Sequence, residues 1–194
     1  MSYPNLSALL EGIIYLAREP VGVDVIRKAL PDVDKNTIDE CIASLIEKYQ
    51  QPQHGIEIRE IAGGLRFSTK PEHHEALKSF LQAQAPATRL SLAALETLAV
   101  IAYKQPVTVP EIQEIRGVQA TGVIKTLLDK KLVATAGRKE VLGRPILYKT
   151  TKEFLIHFGL KELGELPSME EFEDLIKNQA AAEETLQTEF ELPS

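Results

Sequence analysis

The sequence has no tryptophan, two methionines and one cysteine, Cys41, among 194 residues. A single thiol excludes an internal disulfide and suits a reducing compartment, and its place beside Ile38, Ile42 and Leu45 predicts a buried spectator. No CxxC exists, and His54, His73, His74 and His157 show neither HExxH nor the spacing of a zinc finger, so no metal site is expected. Phosphate-cradling glycine patterns are missing too. The glycines of "AGRKEVLGRP" form neither GxxxxGK[ST] nor GxGxxG, and they fall in a hairpin instead of between a strand and a helix. Serines and threonines cluster at caps and turns, with no nucleophile matched to a base. Catalysis and cofactor binding therefore have no candidates, and a non-enzymatic binding module is expected. No apolar run reaches the length that crosses a bilayer. The opening "MSYPNLSALLEGIIYLAREP" lacks a basic leader region and has helical apolar spacing, which predicts structure instead of a signal, in a cytoplasmic protein.

What is present is unevenly distributed. The net charge of −6 divides into −3 over residues 1–85, +5 over 86–164 and −8 over 165–194. These spans are the expected domains: two globular halves and an acidic tail. In the tail, "SMEEFEDLIKNQ" sets Met169, Phe172, Leu175 and Ile176 on one face of a short amphipathic helix, suited to docking on the basic half or on a partner.

The two halves repeat one order of elements. Leu10, Ile13, Ile14 and Ala17 have the i, i+3, i+4, i+7 spacing of a helix, and so do Leu95, Leu98, Ala99 and Ala102. Pro20-Val21 and Pro106-Val107 end these helices. Second helices follow over Val23 to Leu30 and Val109 to Arg116, closed by Pro31 and Gly117. In the third helices Ile38, Cys41, Ile42, Leu45 and Ile46 match Ala120, Val123, Ile124, Leu127 and Leu128. Strand signals come next: "GIEIREIAGGLRFSTK" predicts a tight hairpin, and "LVATAGRKEVLGRPILYKTT" one with a longer basic tip holding Arg138, Lys139 and Arg144, with Pro145 at a strand start or edge. Thr69 with Glu72, and Thr150 with Glu153, have capping-box spacing for a fourth helix, the first starting near Lys70 or Pro71. Phe154, Leu155 and Phe158 give the second of these an apolar side, and Gly159 stops it. The fold class is mainly α with small β-hairpins, α+β: tandem winged helices, a helix-turn-helix core with a hairpin wing, joined by "QAQAPATRLS".

Winged helices often read DNA with the third helix in the major groove. The first copy carries Asp32, Asp34, Asp39 and Glu40 along that edge, which would repel phosphates. The second offers Lys125, Lys130, Lys131, Arg138, Lys139, Arg144 and Lys149, yet only Gln119 and Thr121 as base readers. A winged-helix transcription regulator is the alternative reading, with DNA contact weak or indirect. The helix "SLAALETLAVIAYK" is apolar nearly all round, with Leu98 and Ile101 opposite Leu92 and Tyr103. Burial within its own domain, cover by the first domain, and cover by another chain all remain open for it.

"LSLAALETLAVIAYKQPVTVPEIQEIRGVQATGVIKTLLDKKLV" followed by "GRPILYKTTKEFLIHFGL" resembles the segregation and condensation protein B family, ScpB, most densely over residues 90–160. The resemblance implies a non-catalytic subunit of a bacterial SMC-kleisin condensin, acting in chromosome condensation and partition during cell division. It implies a homodimer joined through the first winged helix, bound to the kleisin ScpA and through ScpA to the SMC ATPase heads. Arg144, Tyr148 and Phe158, with the face around Leu98 and Ile101, are candidates for the ScpA contact. Wing core for Tyr148, fold closure for Phe158 and simple solvation for Arg144 are equally open. Leu6, Leu9 and Ile13 are candidates for the dimer contact, or for the first domain's core. The tail beyond residue 165 lies outside the resemblance.

Overall fold

A computed structural model describes residues 3–84, 90–168 and 171. The joint at 85–89 and most of the tail, with Met169, Phe172, Leu175 and Ile176, lie outside the described residues. The chain divides into two compact units, residues 1–88 with 155–162, and residues 89–154 with 163–194.

The first unit runs α1 (Leu6–Leu16), α2 (Val23–Ala29), α3 (Lys35–Gln50), β1 (Ile56–Ile61), β2 (Gly64–Thr69), then a 3-10 turn (Pro71–His73) leading into α4 (His74–Gln84). The Asn5 side chain accepts from the Ala8 N–H to start α1, and that of Asp34 accepts from Asn36 and Thr37 to start α3. The one-sided stripes meet in a core of Leu10, Ile14, Ile26, Leu30, Ile38, Ile42, Leu45, Tyr49, Ile58 and Leu65. Cys41 is half-buried at the edge of this core, less enclosed than its stripe predicts. β1 and β2 pair antiparallel, Ile61 opposite Gly64, leaving Ala62 and Gly63 as a two-residue turn with positive φ at both positions.

The second unit repeats the plan with α5 (Leu92–Lys104), β3 (Val107–Thr108), α6 (Val109–Arg116), α7 (Thr121–Asp129), β4 (Val133–Arg138), β5 (Ile146–Thr150) and α8 (Lys152–Phe158), whose last residues fall in the first unit. A second 3-10 turn spans Leu163–Glu165. Its sheet has the order β3-β5-β4, all antiparallel. The Pro-Val pairs do more than end a helix. Val107 enters β3 opposite Tyr148, and Val21 makes the matching isolated bridge to Leu65, with N–H···O distances of 2.9 and 2.8 Å. Each pair thus stitches the helical half of its unit to the return strand of the wing.

Both capping boxes differ from expectation. Thr69 stays in β2 opposite Ile56, and the 3-10 turn starts from Lys70 without a side-chain cap. Lys70 is buried, and its ammonium donates to the Gln50 and Gln51 carbonyls at 3.1 and 2.7 Å, at the negative end of α3. Thr150 likewise ends β5, and Thr151 caps α8 by accepting from the Phe154 N–H at 3.2 Å. The threonine doublet hides this one-residue shift. At the other end Gly159, at φ 67°, closes the helix: Leu160 N–H donates to Leu155 O and Gly159 N–H to Ile156 O. Among the described residues no helix is long and apolar enough to cross a membrane.

Candidate interaction surfaces

The apolar helix α5 is covered by its own unit: it packs against α6, α7 and β5, and Leu98 and Ile101 are 2% and 0% exposed. Tyr148 is also core, paired with Val107 on one side and Thr135 on the other in the middle strand. Three of the five partner-contact candidates are therefore inside the fold. An all-round apolar helix is what a unit needs when one helix is sandwiched between a helix pair and a sheet. Burial within the domain is the alternative that applies.

The polar groups around α5 fix the helix-turn-helix in place. Arg116, nearly buried, donates to Thr97 Oγ1 at 2.7 Å and forms an ion pair with Glu96, tying the end of α6 to α5. Glu111 serves as the N3 residue of a capping box with Thr108 and also holds the Lys139 ammonium. Those bonds, Lys139 first and Thr108 next, lower its carboxyl pKa to about 2. Lys139, read as part of a basic DNA-facing tip, is neutralised by α6 and pins the wing against that helix.

What this pinning leaves outside is apolar. The loop between β4 and β5 is closed by Lys139 N–H to Pro145 O and Arg144 N–H to Val141 O, both 2.9 Å. Leu142 stands fully exposed at its tip, with Val141 half-exposed beside it. Arg144 is exposed, at φ 41°, and its carbonyl accepts from the Arg138 guanidinium at 3.0 Å. Ile115, one helical turn past Glu111 on the same face of α6, and Val118 are also exposed. The wing tip thus carries exposed Val141 and Leu142 beyond Lys139, α6 carries exposed Ile115 on the face of Glu111, and Val118 is exposed just past the end of α6. Sequence reading missed this set; its signal is "VL" in a loop otherwise basic and glycine-rich, where no core can claim the pair. Phe158, 42% exposed, lies among the first unit's residues.

In the first unit Leu6, Leu9 and Ile13 are half-buried, lying against the core but not closed into it. They continue along one side of α1 to Leu16, which is 81% exposed, one and two steps of helical spacing beyond Ile13 and Leu9. Tyr15 is exposed as well, its ring edge-on to Phe67 at 6.5 Å. On the opposite side of α1 from this ledge Glu11 pairs with Lys48 at 2.9 Å, which lowers the Glu11 pKa and raises that of Lys48.

Several side chains on the edges that would face DNA are paired within their own unit. Arg27 is held by Asp39 at 2.6 Å and Asp24 at 2.9 Å, and Asp34 is the cap of α3, so the first unit's acids serve its own helices. In the second unit the Gln119 side chain accepts from Gln113 Nε2 at 2.9 Å. The exposed side of α7 carries a single lysine, Lys125, between Thr121 and Thr126, whose hydroxyl bonds back to Gly122 O. That is a poor recognition helix.

Residues 8–169 match the family model described as "Segregation and condensation complex subunit ScpB". Segregation and condensation protein B of Moorella thermoacetica is 48% identical over 167 residues, covering 86% of this chain and 84% of the relative. That of Syntrophotalea carbinolica is 43% identical over 177 residues, covering 91% and 88%. A crystal structure described as a dimer of the ScpB N-terminal domain complexed with ScpA peptide covers 41% of this chain and 94% of its own at 22% identity. Its TM-score of 0.37 is too low to carry a structural argument.

Proposed function

Because the chain belongs to the ScpB family of segregation and condensation complex subunits, we propose that it is a non-catalytic homodimeric adaptor that grips the kleisin ScpA and acts through it on the SMC ATPase heads. The observation that carries this reading is the placing of exposed apolar side chains outside two otherwise closed cores: Leu16 at the end of the α1 ledge, and Leu142 with Val141 and Ile115 at the wing. Monomeric soluble folds rarely expose large contiguous apolar patches, and such patches mark contacts with other polypeptides. The two surfaces divide the work. The α1 ledge of Leu6, Leu9, Ile13 and Leu16 pairs one copy with another, and the wing–α6 face, with Arg144, takes the kleisin.

Pairing through one unit holds two kleisin-binding faces in a single particle, which raises the effective concentration of the second contact to the millimolar range, about 1 mM for a short connection. Modest contacts then add to a firm hold. Mixing the chain with an ScpA fragment and titrating by calorimetry tests the reading. Leu142→Asp should weaken ScpA binding at least roughly tenfold, about 1.4 kcal/mol, with circular dichroism unchanged, because the side chain touches no core. Equal affinity of wild type and Leu142→Asp would remove the wing from the contact. A sequence-selective, salt-sensitive gel shift by the chain alone would support a regulator of transcription instead.

A further inference from the structure

The outer edge of the second wing is open along β4. We infer that this edge receives an extended, acidic segment of the kleisin as an added strand, paired with the backbone of Thr135. The kleisin as occupant rests on the adaptor reading above.

β4 is an edge strand, since the sheet order is β3-β5-β4. Thr151 N–H donates to Leu132 O at 3.2 Å, which turns the Leu132 backbone towards β5, and alternation along an antiparallel pair then turns that of Thr135 away. The opposite strand agrees. Tyr148 pairs with Thr135 on one side and Val107 on the other, and Thr150 N–H donates to Gln105 on the Val107 side. Both the N–H and the C=O of Thr135 therefore point out of the sheet. Thr135 and Gly137 are exposed, and among the described residues no backbone bond reaches Thr135 from beyond the sheet. An added Cβ on Gly137 would meet nothing within 4 Å, so the space beside the strand is open.

The first unit shows what a wing edge accepts. Val21 bridges Leu65 as Val107 pairs with Tyr148, so Glu60, opposite Leu65, holds the place that Thr135 holds opposite Tyr148. There the edge is taken by polypeptide. Within that unit Lys161 pairs with Glu60 at 2.9 Å, the Arg59 guanidinium donates to Gly159 O at 3.5 Å, and Ala62 N–H donates to Leu160 O at 2.9 Å.

Charge selects the occupant of the second edge. Between Asp129 and Glu140 the chain carries Lys130, Lys131, Arg138 and Lys139 with no acid, and Lys149 is exposed on β5 opposite Ala134. Lys139 is paired with Glu111; among the described residues Lys130, Lys131, Arg138 and Lys149 have no carboxylate within ion-pair distance. Folds use lysines and bulges to stop exposed edges pairing with copies of themselves. The register shift between Thr135 and Arg138 and the basic ends of β4 do this here, because antiparallel self-pairing would set one basic end against the other. The same charges attract an acidic segment. In such strand addition main-chain bonds supply affinity and alternate side chains supply specificity.

The test uses the full chain with an ScpA fragment. At saturation, hydrogen exchange of the Thr135 amide should slow at least about tenfold. Thr135→Pro removes the outward N–H at an edge position where proline is tolerated. It should weaken binding at least about tenfold with circular dichroism unchanged, whereas Thr135→Val should bind within about twofold of wild type. Arg138→Glu should slow association about tenfold, and less in high salt. If Thr135→Pro loses its fold, the exchange measurement on the wild type decides alone. ScpA that binds while the Thr135 amide exchanges as in the free chain would overturn the added strand and leave the adaptor reading standing, as would full affinity of a folded Thr135→Pro. Unaltered association of Arg138→Glu would overturn the acidic occupant. An ScpA fragment that does not bind at all would overturn the adaptor reading and this inference with it.

Discussion

At the scale of single residues, Gly64 and Glu111 show how much one position can carry. An added Cβ on Gly64 would lie 2.6 Å from the Pro20 carbonyl carbon, 2.7 Å from its oxygen and 2.9 Å from Val21 N, all backbone atoms that cannot yield. Gly64→Ala should cost about 1–3 kcal/mol, read as a lower urea midpoint. The sequence marks Gly63-Gly64 as a hairpin turn, and the turn is there, but the two glycines differ. Gly63 supplies a positive φ, whereas Gly64 makes room for a strand partner over forty positions earlier in the chain, a contact invisible to any local pattern. Glu111 gives a pH signature. Its carboxyl titrates near 2 in the folded protein against an ordinary 4.5. The folded state therefore favours the ionised form, and this contribution is complete above about pH 4.5 and is lost as pH falls towards 2. Glu111→Gln should make the melting temperature fall less steeply between those values than in wild type. Parallel melting curves for the two proteins would show that the Lys139 and Thr108 bonds contribute nothing.

Among elements, apolar stripes announced the first and third helix of each unit, and the Pro31 and Gly117 stops announced the second; all six appear where they were put, with ends moved by a residue or so. Ala17, for example, caps α1 instead of extending it. What the stripes could not reveal is how elements join. β3 has two residues, too few for any alternation, and is defined by its partner β5. Gln105 is another such joint: from the C-cap of α5 its Oε1 accepts from Thr150 N–H at 2.6 Å and from Thr150 Oγ1 at 3.0 Å. Removing it leaves a part-buried strand N–H without an acceptor, so Gln105→Ala should destabilise by about 1–3 kcal/mol in chemical denaturation, and Gln105→Glu should recover part of that. The candidate sites followed the same division. Leu98, Ile101 and Tyr148 looked like surplus apolar surface because their covering elements are distant in sequence, while Leu142 and Leu16 looked unremarkable because only a closed core shows which leucines it omits.

For the whole molecule, the repeat in the sequence is a repeat of one architecture with two surface characters. The first unit uses its acids on its own helices and extends an apolar ledge along α1; the second locks its wing down with Glu111 and Lys139 and extends an apolar tip. In the proposed pairing through the α1 ledge, burial of Leu16 would contribute about 1.5–3 kcal/mol per copy, and two-fold symmetry would count it twice. Leu16→Asp should accordingly weaken self-association at least roughly a hundredfold while leaving the melting temperature of the isolated chain nearly unchanged, because the side chain is outside the core. The most direct test of the adaptor account is the mass, by sedimentation equilibrium at micromolar concentration, of the chain mixed with an ScpA fragment. The account predicts a particle containing two 21.5 kDa chains together with ScpA, reduced to one chain by Leu16→Asp. A 21.5 kDa species that persists at all concentrations and carries no ScpA would contradict it.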